Sequence, residues 1–279
     1  MFVYKIGLGR YIGSDRNSGL YEYKLIKKEL SKIDCDDVII VVNGMPSEYD
    51  KEYISCLSKK IKVIFVATDE IAFTSNAFAI DRADLVLHQS TSKISSISKR
   101  QKYSFVPELF LKDDITKKQN QLQMVMFAGA NSGREEEFEK YKIARSNDNV
   151  IVSICKEYNA DGSVLYDDRV DYESYCSMLS FFKYSLVICR KSYNKVGWIT
   201  SRMIEAFSYF NLPLLDNNVD KNGYLEYIGN IPMVSNYYDL VDIVKHTNEK
   251  DREGIILNAY EEIKKVKHNF RKIIEEELQ

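Results

Sequence analysis

In the first half of the chain, strand-length apolar runs at 2–7, 37–42, 62–67, 83–88 and 103–106 alternate with stretches of helical spacing at 20–33 and 49–59. In the first helical stretch, Leu20, Ile26, Leu30 and Ile33 fall on one side. The run Val-Ile-Ile-Val-Val at 38–42 shows no alternation, as expected of a strand covered on both faces. Strand, crossover helix, strand is the signature of a parallel sheet. A polar stretch at 112–123 then carries neither strand nor amphipathic helix, so a linker is predicted at 113–123, closing a first domain at 1–112. The pattern restarts with strands at 124–128, 150–154, 185–189 and 212–215 and helices from about 134, at 172–182 and at 199–210. This predicts a second Rossmann-like domain over 124–255. Helical patterns at 237–250 and 251–279 close the chain, the last with a stripe of Ile255, Ile256, Tyr260, Ile263, Val266, Phe270 and Ile274.

A length of 279 residues, 45% hydrophobic and 29% charged, fits two globular α/β domains. No apolar run approaches the ~20 residues that span a bilayer, and the amino terminus opens on a strand pattern rather than a signal peptide. No membrane partner and a cytoplasmic location are therefore expected. Five cysteines, without a Cys-x-x-Cys pair, predict free thiols and no metal site. The three histidines fit no catalytic spacing and are assigned to packing or surface. A net charge of −2 excludes a uniformly basic nucleic-acid-coating protein but leaves room for a local patch.

Four segments could carry chemistry. Residues 127–135 combine a strand end, a turn of small residues (Gly129, Ser132, Gly133) and a helix start preceded by Arg134. Helix-start amides and an arginine suit a phosphate; a tight turn with a solvated Arg134 accounts for the same residues. In the second segment Tyr193 lies in a polar loop, and Arg202 and Glu205 stand three apart near the start of the next helix. Arg202 could meet a diphosphate while Glu205 accepts from ribose hydroxyls; a surface ion pair is the alternative. Third, Asp69 follows a buried strand, where parallel sheets gather ligands, and suits a general base or a helix cap. Fourth, the loop 7–19, with Gly9, Gly13 and Ser14, could close over a donor sugar or serve only as a connector.

In this order the segments resemble the DNA β-glucosyltransferases of T-even phages, which move glucose from UDP-glucose to hydroxymethylcytosine in DNA. Thr68-Asp69 is similar to that family's catalytic aspartate segment, and Phe105-Val106-Pro107 to the aromatic-x-Pro before its linker. Residues 129–134 resemble its phosphate loop, in a shorter version with one arginine where the family has two. Tyr193-Asn194, followed by Ile199-Thr200-x-Arg202-x-x-Glu205, matches most closely. The resemblance implies a GT-B-like fold: two Rossmann-like parallel-sheet domains facing a central cleft, with a terminal helix, 256–279, returning to the first. It implies Arg202 on the diphosphate, Glu205 on the ribose and Tyr193 beside the pyrophosphate.

The expected reaction is a single inverting displacement, with Asp69 as base and a UDP-sugar, UDP-glucose in that family's manner, as donor rather than a tightly bound cofactor. The expected acceptor is a hydroxymethylated pyrimidine in phage DNA within an infected bacterial host, and the expected state is a monomer. Lys93, Lys99, Arg100 and Lys102 are the candidate DNA contacts, or a solvated basic face. Alternatives are a glycosyltransferase acting on a cell-surface glycan or small molecule, and a non-catalytic nucleotide-binding protein.

Overall fold

The computed structural model describes residues 1–8, 18–115, 117–143, 150–159, 161–220 and 222–279. The chain divides into two compact units, one formed by Met1–Phe110 with Val266–Gln279, the other by Leu111–Lys265.

In the first unit the strands β1 (Phe2–Lys5), β2 (Val38–Val42), β3 (Lys62–Ala67), β4 (Leu85–His88) and β5 (Gln101–Tyr103) form a wholly parallel sheet in the order β1-β2-β3-β4-β5. Every residue of β2 and β4 is buried, which explains their unbroken apolar runs. The crossovers are α1 (Ser18–Leu30), α2 (Glu48–Ser55) and the short pair α3 (Ala72–Ser75) and α4 (Ala77–Arg82). A capping box between Ser47 and Asp50 starts α2. β5 ends earlier than the pattern predicts: Phe105 adopts a positive φ of 54°, and a 3-10 turn begins at Pro107.

The second unit contains β6 (Leu122–Ala130), α5 (Glu135–Lys140), β7 (Ile151–Tyr158), β8 (Val164–Asp167), α6 (Tyr172–Leu179), β9 (Phe182–Val187), α7 (Lys191–Val196), α8 (Ser201–Ser208), β10 (Leu212–Asp216), β11 (Met233–Val234), α9 (Tyr237–His246) and α10 (Glu249–Val266). Its strand order is β11-β10-β9-β6-β7-β8, parallel except for β8, which runs antiparallel to β7. The chain thus leaves β6 toward β7 on one side and resumes with β9 on the other. This reversal places a topological switch point between β6 and β9, where doubly wound sheets bind ligands outside the carboxyl ends of their strands. The first sheet, built in simple sequential order, has no such reversal.

The polar stretch predicted as a linker at 113–123 is pinned to the second unit. The Lys112 amide donates to Ser208 Oγ at 2.9 Å, and the Tyr260 hydroxyl to the Lys112 carbonyl at 3.0 Å. Gln121 Nε2 reaches the Ser180 and Phe182 carbonyls at 3.2 and 3.3 Å, while its Oε1 accepts from the wholly buried Arg252 at 3.2 Å. β6 itself begins inside the predicted linker, at Leu122. At the other end, α10 buries Ile256, Ala259, Tyr260 and Ile263 and is grouped with the second unit as far as Lys265. The handover predicted at 256 therefore falls at Val266, and only α11 (Asn269–Leu278) and the turn before it join the first unit. There the nearly buried Glu277 carboxylate receives Arg100 through two bonds of 2.5 and 2.8 Å and Lys102 at 3.1 Å.

Candidate functional site

The carboxyl ends of β6 and β9 lead to Arg134 and Arg190 at the second unit's switch point. After β6 the chain turns through Asn131-Ser132-Gly133 to Arg134. The Asn131 side chain locks this turn to β7, donating to the Tyr158 carbonyl and accepting from the Tyr158 amide, both at 3.0 Å. Gly133 has φ +72°, a left-handed conformation that favours glycine. Its amide, which the sequence pattern offers to a phosphate, donates to Glu135 Oε1 at 2.9 Å. That bond, together with the Glu135 amide, holds the Glu135 carboxyl below its usual pKa. Ser132 is exposed. Gly129 lies within β6 rather than in the turn, contrary to the phosphate-loop expectation; a Cβ there would stand 2.9 Å from the Phe127 ring. Its small size serves packing.

Arg134 bridges the two strand ends, donating through Nη1 to the Ala130 carbonyl at 2.9 Å and through Nε to the Ile188 carbonyl at 3.3 Å. A guanidinium has five N–H donors, so these bonds leave donors over. Burial, and then the like charges of Arg190 and Arg202, push the Arg134 pKa down. Arg190 follows β9, lays its stem against Gly133 (3.6 Å from Cγ to the position of a Cβ there) and holds its guanidinium carbon 5.9 Å from the Tyr193 ring centre. Arg190 Nε is buried without a hydrogen-bond partner. Tyr193 sits on α7, a short helix where a loop is predicted, with its ring 5.7 Å from that of Trp198.

α8 starts at a Thr200 cap, whose hydroxyl accepts from the Arg202 amide, and is anchored by buried Met203, Ile204, Ala206 and Phe207. This fixes Arg202 and Glu205 one turn apart on a common face. Arg202 Nη1 lies 3.8 Å from Glu205 Oε2, and its guanidinium carbon lies 3.9 Å over the Tyr175 ring of α6. Glu205 is 1% exposed, which a surface ion pair would not be. Its Oε1 accepts from Ser201 Oγ at 3.0 Å, whereas Oε2, like Arg202 Nη1, is buried without a well-formed hydrogen bond. Burial raises the Glu205 pKa, opposed by Arg202, Ser201 and the Tyr175 and Tyr172 hydroxyls. Between the strand ends, Cys189 is buried, and its thiol is pushed up to about 12, so it stays neutral.

In the first unit Asp69 follows β3 and is half-buried; its Oδ1 accepts from the Ile71 amide at 3.2 Å, and its carbonyl accepts from the Ala72 amide at 3.1 Å. Two asparagines that sequence reasoning passed over fix this corner. Asn43 Oδ1 accepts from the Thr68 amide at 2.7 Å and from the Thr68 hydroxyl at 3.0 Å, and the fully buried Asn76 exchanges bonds of 3.1 and 2.9 Å with Gly44. Of the proposed basic patch, Lys93 is exposed and Lys99 half-buried, but Arg100 and Lys102 are engaged by Glu277. Glu277 thus shares their charge, while their side chains remain 59% and 34% exposed. Gly9, Gly13 and Ser14 lie outside the described residues.

An Asp-x-Asp triplet, Asp34 and Asp36, precedes β2 at the amino end of the strand, and among the described residues no group of three His, Cys, Asp or Glu side chains is placed to hold a metal ion. No helix among them is long and apolar enough to cross a membrane.

No family model and no curated protein matches the chain. Solved structures do: a DNA-modifying β-glucosyltransferase studied with and without uridine diphosphoglucose superposes with a TM-score of 0.67 at 16% identity, covering 99% of each chain. The fold is that of the β-glucosyltransferase. The T4 phage β-glucosyltransferase bound to UDP and Mn2+ gives 0.63 at 14% identity, over 99% of this chain and 98% of that one. A trehalose-6-phosphate protein from E. coli bound to UDP-2-fluoro glucose gives 0.54 at 12% identity, over 93% of this chain and 76% of the other. The β-glucosyltransferase fold thus extends over nearly the whole molecule, in agreement with the resemblance carried by its motifs.

Proposed function

We propose that the protein is an inverting glycosyltransferase that moves a sugar, glucose in the first instance, from a UDP-sugar to a hydroxymethylated pyrimidine in duplex DNA. The observation that carries this reading is the pair of Arg202 and the buried Glu205 on one face of α8, 3.8 Å apart, with Arg134 at the carboxyl end of β6, in a β-glucosyltransferase fold. Arg134 and Arg202 neutralise the charge that grows on the departing diphosphate. Glu205 accepts from the ribose hydroxyls, and Tyr193 flanks the pyrophosphate. Asp69 takes the proton of the acceptor hydroxyl, which attacks the anomeric carbon from the face opposite the diphosphate and inverts it.

A base within a duplex must leave the stack to reach such a carboxylate. With Arg100 and Lys102 engaged, phosphate contacts from the proposed patch fall to Lys93 and Lys99. This observation supports a second reading, a smaller acceptor that needs no basic face. Incubation with labelled UDP-glucose and either hydroxymethylated duplex, unmodified duplex or no DNA separates the two: label appearing only in the modified duplex supports the first, and hydrolysis or transfer independent of DNA the second. Asp69→Asn is expected to lower kcat by about 10²- to 10⁴-fold while UDP affinity stays within about twofold. Retained turnover in that variant would remove Asp69 from the mechanism.

A further inference from the structure

Arg190 heads the segment that carries Tyr193, Arg202 and Glu205 but has no role assigned from the sequence, and the geometry around it is that of an unfinished anion site. It leaves the carboxyl end of β9 directly across the switch point from Arg134, which leaves β6. Its Nε is buried with no hydrogen-bond partner, and neither Arg134 nor Arg190 forms an ion pair among the described residues. A buried N–H of a charged group without an acceptor is costly and rare, and one of its common explanations is a ligand that supplies the acceptor.

The neighbouring carboxylates do not provide it. Glu135 is turned to the Gly133 amide at 2.9 Å, Glu136 is paired with Lys191 at 2.6 Å, and Glu205 lies on the Arg202 side with Ser201 at 3.0 Å. The Arg190 stem is meanwhile held in place. It packs on Gly133, whose carbonyl accepts from the Lys191 amide at 3.3 Å, while its head is steadied by Tyr193. The side chain is therefore positioned in advance, with its fork unused.

We propose that Arg190 is a third diphosphate ligand, closing on the nucleoside diphosphate from the β9 side while Arg134 holds it from the β6 side. This rests on the donor site described above and adds to it a residue outside the phosphate turn. A sequence with a single arginine in that turn recovers a second guanidinium from the neighbouring strand, because the two strand ends are adjacent in the sheet. Two guanidinia on either side suit a ligand with two linked phosphoryl groups better than a monophosphate.

Calorimetry with UDP, uridine and inorganic pyrophosphate tests this on the wild type, Arg190→Met and Arg190→Lys. Methionine keeps much of the stem that packs on Gly133, and lysine keeps the charge without the fork. Arg190→Met is expected to weaken UDP and pyrophosphate binding by about 10- to 100-fold with uridine binding within twofold, and Arg190→Lys to fall between. Unchanged UDP binding in Arg190→Met, or equal losses for UDP and uridine, would overturn the assignment while leaving the donor site standing. If Arg190→Met does not fold, the Arg190→Lys ratio of UDP to uridine affinity decides in the same way. Absence of UDP binding to the wild type would instead remove the donor site itself.

Discussion

Glu205 offers the sharpest test of the donor site, because a ligand lacking one hydroxyl reports directly on it. The carboxylate is 1% exposed, with Oε1 satisfied by Ser201 at 3.0 Å and Oε2 buried without a well-formed hydrogen bond. In the proposed complex UDP supplies a ribose hydroxyl to this carboxylate, whereas 2′-deoxyuridine diphosphate offers one donor fewer and strands part of a buried charge. A hydrogen bond to a charged group contributes about 1.5–3 kcal/mol, and a site built for a hydroxyl penalises its absence by a similar amount. At about 1.4 kcal/mol per tenfold, the wild type should prefer UDP over the deoxy analogue by roughly 10- to 150-fold. In Glu205→Gln the shape is retained and the charge removed, so UDP should weaken by at least about tenfold and the preference shrink to a few-fold. Titration calorimetry on both proteins with both ligands measures all four affinities. Equal binding of the two ligands by the wild type would refute the placement of Glu205 on the ribose, whatever the mutant does.

Further outcomes follow from groups whose surroundings are equally explicit. Glu135→Gln removes the carboxylate that fills the Gly133 amide and should tighten UDP by about three- to tenfold; weaker binding would mean that Glu135 supports the loop rather than competing with the ligand. Lys5 is 3% exposed and donates to the Asn43 carbonyl; burial, partly offset by Glu22, lowers its pKa to about 8. Between that value and an unfolded value of about 10.4 the unfolded chain binds more protons, so stability conferred by neutral Lys5 rises with pH across this window and is lost as pH falls through about 8. Lys5→Met should flatten that rise, which has a ceiling on the order of 3 kcal/mol, in urea titrations at a series of pH values; an unaltered slope would dismiss Lys5 as its source. Glu277→Gln leaves Arg100 and Lys102 without their anion; because both cations stay partly exposed, it should cost about 1–2 kcal/mol. Hydrogen exchange should locate the loss in α11, and protection equal to the wild type there would contradict the ion cluster.

What could be read from the sequence was what depends on near neighbours. β2 and β3 were legible because burial on both faces leaves an unbroken apolar run. Arg202 and Glu205 were legible because helical spacing alone brings them to one face. β5 was displaced in the reading because Gln101 and Lys102 are polar, and β8 and β11 were missed because edge strands of four and two residues carry little pattern. The stretch 113–123 looked like a linker because its attachment runs through Gln121, Arg252 and main-chain carbonyls, contacts that hydrophobic periodicity does not register. The partner of Arg100 and Lys102 was not legible because it stands at position 277, for Arg100 177 residues away. Arg190 escaped notice for a related reason: its meaning depends on β9 lying beside β6, a pairing that no local pattern announces.

The division of the chain has a consequence for biosynthesis. The second unit is one continuous stretch, whereas the first is assembled from Met1–Phe110 and the final Val266–Gln279. On the ribosome the five-stranded sheet emerges earliest, yet it must wait for the whole intervening unit before α11 arrives to neutralise Arg100 and Lys102. The half translated first is therefore completed last, and nascent chains stalled before residue 266 should hold a mature second unit beside an unfinished first one.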